Sequence, residues 1–128
     1  MQRFIQRRNE YNNAVERLQE ALLEEESEII IDGALHRFEF TFELAWKTIK
    51  DYLEYMGLTE KTGSPREIIQ QAFKQGIIEN GEEWINMMLS RNTLSHLYDE
   101  KTSRDIFYEI KNKYIQLFLE LKEKLNNM

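Results

Sequence analysis

An all-α protein, one domain spanning residues 1–128 and built as an up-and-down bundle of about five helices, is predicted by three observations. Apolar residues return at steps of three and four along three long segments. With 5 glycines and 1 proline in 128 residues, the chain has too few turn formers for a many-stranded sandwich. Hydrophobic residues make up 41% and charged residues 31%, enough apolar content for a core and too much for disorder.

The first helix is expected over residues 2 to 25, where Phe4, Tyr11, Val15, Leu18 and Leu22 recur at helical spacing. Acidic side chains oppose the dipole at a helix C-terminus, so Glu24-Glu25-Glu26 is assigned to a turn and the start of the next helix. A second helix, from Glu28 or Asp32 to Met56, carries Leu35, Phe38, Phe42, Ala45, Ile49, Leu53 and Met56 as its inward stripe. Phe40, Leu44 and Trp46 fall off that stripe, which makes this helix either central to the bundle or packed on another subunit. Gly57 supplies the left-handed stop. Ser64-Pro65-Arg66-Glu67 combines a capping serine, a first-position proline and a capping-box glutamate, opening a third helix that ends near Gly76. Asn80-Gly81-Glu82-Glu83 is expected to cap the fourth helix. Thr102-Ser103-Arg104-Asp105 is expected to cap the fifth, with Ile106, Ile110, Tyr114, Leu117, Leu121 and Leu125 facing inward.

The formal charge of −6 opposes broad, sequence-independent binding of polyanions. Nucleic acid would therefore have to meet a local basic patch, for which the candidates are Arg3, Arg7 and Arg8, then Lys61 and Arg66, then Arg91, Lys101 and Arg104. No cysteine is present, so neither a disulfide framework nor a thiolate zinc site is available. Two histidines argue against a histidine-rich metal site, and His36 is assigned no site. Glu39 and Glu43 stand four apart with no histidine beside them, a pattern that reads as solvated charge or a salt bridge to Lys47. Trp46 and Trp84 read as packing residues. No glycine loop of the phosphate-cradling type occurs, and no cofactor is expected. Without a signal-peptide core or a run of roughly 20 apolar residues, a soluble cytoplasmic protein with no membrane contact is expected.

The chemistry-bearing stretch is Arg91-Asn92-Thr93-Leu94-Ser95-His96-Leu97-Tyr98. A guanidinium holds phosphate and an imidazole moves protons near neutral pH, a combination suited to phosphodiester chemistry. On a regular helix His96 would project about 140° from Arg91. One site containing both therefore requires the helix to end or kink after Asn92, or requires two chains around a twofold axis. Spacing alone also admits a plainer assignment: Arg91 as a solvated helix-end cation, Asn92 and Ser95 as caps, His96 as a loop residue and Tyr98 at the core edge.

The same eight residues resemble the Arg-x4-His-x-Tyr motif of HEPN domains. Arg37-Phe38-Glu39-Phe40-Thr41-Phe42-Glu43-Leu44-Ala45-Trp46-Lys47 resembles the signature helix of their nucleotidyltransferase substrate-binding branch, and Ser64-Pro65-Arg66-Glu67 and the Trp84 helix fit it too. The resemblance implies a homodimeric helical bundle paired with a minimal nucleotidyltransferase, often as toxin and antitoxin. It implies a metal-independent endoribonuclease in which Arg91 and His96 are catalytic, Asn92 and Ser95 support them, RNA is the substrate, and Tyr98 receives AMP as an inactivating mark. An alternative within the branch is a non-catalytic subunit that binds substrate or nucleotide for the nucleotidyltransferase.

Overall fold

A computed structural model describes residues 1–58 and 63–128. Lys61, one of the candidate cations, lies outside the described residues. Every described element is helical: α1 (Gln2–Leu23), α2 (Glu28–Tyr55), α3 (Pro65–Lys74), α4 (Gly81–Leu94) and α5 (Glu100–Glu109), which passes through one π-helical turn (Ile110–Tyr114) into α6 (Ile115–Asn126). Because α5, the wide turn and α6 run without a break, the described residues form the five helical rods the periodicity predicts. No described helix is long and apolar enough to cross a membrane.

Local chemistry sets the boundaries. The acidic run after α1 lies wholly in the turn, and α2 begins at Glu28, two residues after that run, because the intervening Ser27 caps it, its hydroxyl accepting the Ile30 N–H at 3.2 Å. Ser64 accepts the Glu67 N–H and donates its hydroxyl to the Glu67 carboxylate, both at 3.3 Å, with Pro65 in the first helical position. Gly57 and Gly76, with φ of 69° and 75°, take the left-handed conformation just past α2 and α3. Asn80 stands at the start of α4 without making a side-chain cap. The expected cap of the last rod needs correction. Asp99 accepts the Thr102 N–H at 2.8 Å, so α5 starts at Glu100 and the Thr102-Ser103 stretch already lies inside it. That hydrogen bond holds the Asp99 carboxyl below its usual range.

One apolar cluster fills the bundle. The longest seam runs between α1 and α2, and Trp84 of α4 stands against Phe42 and Phe118, with Phe38 stacked on Tyr114. All six residues expected to face inward from the last rod are buried. Their spacing of 4, 4, 3, 4 and 4 averages more than the 3.6 residues of an α-helical turn, and the π turn absorbs the surplus. Met56, expected on the inward stripe of α2, is instead exposed because α2 ends at Tyr55. Leu44 is buried and Trp46 packs at the core margin, whereas Phe40 is 58% exposed.

Polar ties lock the seams. The buried Tyr11 hydroxyl donates to the Phe118 carbonyl at 2.7 Å, and Asn12 and Asn126 exchange amide hydrogen bonds at 3.0 and 3.1 Å. Arg7 Nε sits 3.3 Å from Asp51, whose side chain is 5% exposed. Burial pushes the Asp51 carboxyl above its ordinary range, and the opposing pull of Arg7 and Arg3 does not restore it. A carboxyl raised in this way adds stability that is complete below its unfolded pKa and lost as pH rises through the folded value. Relative to the parent, Asp51→Asn is therefore expected to gain stability between acid and neutral pH. Urea unfolding at both pH values checks this, and a difference that stays constant or drifts the other way contradicts it.

Candidate functional site

Trp84, Met87 and Met88 form the inward face of α4. Residue 91, seven positions after Trp84, returns to nearly the same face, so the helix ends its core-facing stripe with a cation. That cation meets α2. Arg91 Nη2 donates to Glu43 Oε2 at 2.6 Å, with the two side chains 27% and 31% exposed. Glu43 also accepts the Trp46 indole N–H at 3.2 Å and approaches Lys47 Nζ at 3.3 Å. One carboxylate thus gathers two cations and an indole at the edge of the core. The Arg91 Nε is buried without a hydrogen-bond partner, leaving one donor of the guanidinium unsatisfied. Glu39, one turn before Glu43, lies in the fields of both Arg91 and His36; burial raises its carboxyl despite the opposing pull of these two groups.

Immediately beyond Arg91 the helix tightens and stops. The N–H groups of Ser95 and His96 donate to Asn92 O and Thr93 O, each at 3.1 Å, and the Ser95 hydroxyl donates to Arg91 O at 3.4 Å. These three-residue bonds close the last turn at Leu94, two residues before His96. The 140° divergence of a continuous helix therefore does not govern His96. Asn92, Ser95, His96 and Leu97 are exposed, and Tyr98 is 39% exposed, on the helix end and the short connection to Asp99. Among the described residues no hydrogen bond joins the His96 ring or the Tyr98 hydroxyl to Arg91. What the fold gathers around the Arg91 guanidinium is Glu43, Trp46 and Lys47. Asn92, Ser95, His96 and Tyr98 are each exposed, Asn92 on the last turn of α4 and the other three just beyond its end.

Glu43 is the residue whose importance sequence reasoning missed. Its bridge to Lys47, four residues along the same helix, was legible from spacing. The pairing with Arg91 crosses 48 residues and has no local signal.

Behind the site, α4 is pinned by the wide turn of the last rod. In a π turn, side chains five apart come side by side, and Tyr114 accordingly donates to Glu109 at 2.7 Å. Ser90 completes the group at 3.1 Å from the Tyr114 hydroxyl and 3.4 Å from Glu109. Burial, aided by Glu109, pushes the Tyr114 phenol up to about 12, so it remains a hydrogen-bond donor throughout the physiological range. The residue before Arg91 is thereby fixed.

Several candidate cations have structural employment. Arg7 pairs with Asp51, Arg8 reaches the Leu125 carbonyl and lies over the Phe4 ring, and Lys101 pairs with Asp105 at 3.0 Å. Arg3, Arg66 and Arg104 are exposed. Among the described residues no group of three or more His, Asp or Glu side chains is arranged to hold a metal ion.

Comparison with known proteins agrees with this architecture. Residues 6–127 match the family described as nucleotidyltransferase substrate binding protein like. A curated relative, the probable ribonuclease HepT of Haemophilus influenzae, is 29% identical over 90 residues, covering 68% of this chain and 62% of the relative's own length. The match thus spans less than two thirds of that relative. A solved structure from Thermus thermophilus is 30% identical, with a TM-score of 0.81, covering 90% of this chain and 98% of the other. A Haemophilus influenzae structure, described as the fold of a substrate binding domain of a nucleotidyltransferase, superposes with a TM-score of 0.83 at 22% identity over 93% and 98% of the two chains.

Proposed function

The chain belongs to the nucleotidyltransferase substrate binding protein like family, and from that premise we propose that it is a HEPN toxin-like, metal-independent endoribonuclease, held inactive by a cognate minimal nucleotidyltransferase that transfers AMP to Tyr98. In this reading residues 1–128 form one cytoplasmic domain that works as a homodimer. The likeness to the probable ribonuclease supports the activity, and the family's description supports the partner. The observation that carries the proposal is the way α4 ends. A guanidinium anchored at 2.6 Å by Glu43 is followed, after the helix stops at Leu94, by an exposed imidazole and phenol on a short connection.

The chemistry follows from these groups. His96 takes the proton of a ribose 2′-hydroxyl as its oxygen attacks the adjacent phosphorus, and Arg91 stabilises the charge growing on the phosphate oxygens. The bond from phosphorus to the 5′-oxygen breaks, leaving a 2′,3′-cyclic phosphate and a 5′-hydroxyl. The departing oxygen needs a proton while His96 has just gained one, so a twofold site in which a second copy contributes its own imidazole completes the cycle. Asn92 and Ser95, on the last turn of α4, support the approach of the strand. An AMP group on Tyr98 would place an anion near the same cation and block phosphate access without refolding the chain.

The second reading, a non-catalytic subunit that binds substrate or nucleotide for the nucleotidyltransferase, is favoured by one observation: Arg91 already has a carboxylate partner in Glu43. The two readings separate in one experiment. Incubation with the partner and ATP is expected to add one AMP to the intact mass of the parent chain and none to Tyr98→Phe, and the modified protein is expected to lose RNA cleavage. Unmodified parent chain would refute the regulatory part. RNA left intact by the unmodified, folded chain would favour the binding subunit.

A further inference from the structure

A second basic cluster lies upstream on α2, in the groove where it faces α1. Arg17, His36, Arg37 and Phe40 line a cleft of about 230 Å³ floored by Ala14. Ala14 is buried and the Thr41 hydroxyl, bonded to Arg37 O at 2.7 Å, also reaches Ala14 O at 3.4 Å, so the two helices are closely pressed there. The Arg37 guanidinium is fixed by donation to the Arg17 carbonyl at 2.6 Å. Among the described residues neither arginine has a carboxylate within ion-pair distance, although acidic residues outnumber basic ones by 23 to 17. Beside these cations stands Phe40, 58% exposed on a helix whose other phenylalanines, Phe38 and Phe42, are fully buried.

From this arrangement we infer that the Arg17, His36, Arg37 and Phe40 cleft is a nucleotide subsite, in which the ring of Phe40 stacks on a base and the guanidinium groups hold its phosphate, feeding single-stranded RNA toward Arg91. The inference rests on the proposed reading of RNA as the substrate. Cations around an exposed ring suit a single strand, whose bases present faces for stacking and whose backbone presents charge. Position supports the link. Along α2, His36, Phe40 and Glu43 fall within about 60° of one another, and Phe40 precedes Glu43 by about 4.5 Å of axial rise. Glu39, between His36 and Glu43 on the same helix, lies in the fields of both His36 and Arg91, so one carboxylate is within electrostatic reach of a cleft residue and of the Arg91 corner. The cleft is smaller than the ~300–1,000 Å³ of pockets that enclose a whole small molecule, consistent with capture of one unit of a longer strand.

The test uses the full chain carrying His96→Ala, so that binding is read without cleavage, and a fluorescein-labelled 12-nucleotide single-stranded RNA followed by anisotropy at several salt concentrations. Phe40→Ala is expected to weaken binding at least about fivefold and Phe40→Trp to retain it. Arg17→Gln with Arg37→Gln is expected to weaken binding and flatten the logarithmic salt slope by about 1.4, the value for two phosphate contacts on a single strand. An abasic strand of the same length should bind the parent as weakly as the RNA binds Phe40→Ala. Competition by millimolar AMP that is lost in Phe40→Ala would support a nucleotide site in the cleft; AMP that binds the cleft yet leaves RNA binding unchanged would overturn it. Unchanged affinity and salt slope in these variants would overturn it. So would a Phe40→Ala protein that changes oligomeric state in light scattering while binding RNA normally, or an acidic peptide that competes as well as RNA. Because cleavage is absent from every arm, failure here leaves the ribonuclease assay of the parent chain as an independent test.

Discussion

Trp84→Ala is expected to destabilise the fold by about 3–5 kcal/mol, the largest effect of any single truncation in the bundle. Trp84 is 2% exposed and bridges two layers, with its ring 6.4 Å from Phe42 of α2 and 5.9 Å from Phe118 of α6. Removing the indole opens a void between helices whose backbones are held elsewhere, at Tyr11 to Phe118 and at Ser90 to Tyr114, so the walls have little freedom to collapse. Against a typical domain stability of about 5–15 kcal/mol, that loss leaves a marginal protein. Urea unfolding followed by circular dichroism measures it. A loss of less than about 1 kcal/mol, the size of an ordinary substitution, would show that the α2, α4 and α6 contact is not the keystone of the bundle.

Arg91→Ala and His96→Ala are each expected to lower RNA cleavage by about 100-fold or more, the usual scale for loss of a general acid or base or of a charge-stabilising donor. Folding should hardly change in either case. His96 is exposed, and Glu43 keeps Trp46 and Lys47 when Arg91 is removed; partly exposed ion pairs contribute up to about 1 kcal/mol. Glu43→Gln separates positioning from chemistry: it keeps a hydrogen-bond acceptor for Arg91 but removes the charge, so cleavage is expected to fall less than in Arg91→Ala. A fluorogenic RNA measures all three beside thermal unfolding. Equal cleavage by the parent, Arg91→Ala and His96→Ala would end the Arg91 and His96 mechanism.

Much of the scaffold could be read in advance from periodicity and turn chemistry. The inward residues of α1, α2 and the last rod, the serine-proline opening of α3 and the two left-handed glycines are local consequences of residue type. Competition between neighbouring caps was harder to read. Asp99 and Ser103 both suit a helix start, and the side chain that reaches the Thr102 N–H decided the matter, leaving Ser103 buried. Around the candidate site, the end of α4 depends on three-residue hydrogen bonds at Ser95 and His96 that no glycine or proline announces. The Glu43 and Arg91 pair depends on where two helices cross, which spacing within either one does not encode. The π turn did leave a trace, in the repeated steps of four from Ile106 to Tyr114.

That wide turn also acts as a rotational offset between the two halves of the last rod. Each residue of an α-helix advances about 100°, so a residue accommodated in a broader loop swings everything downstream by a comparable angle. The half carrying Ile106 and Phe107 can thus address α2 while the half carrying Phe118 and Asn126 addresses α1, each in its own phase. Two dockings that a uniform helix would force into a single compromise are tuned independently.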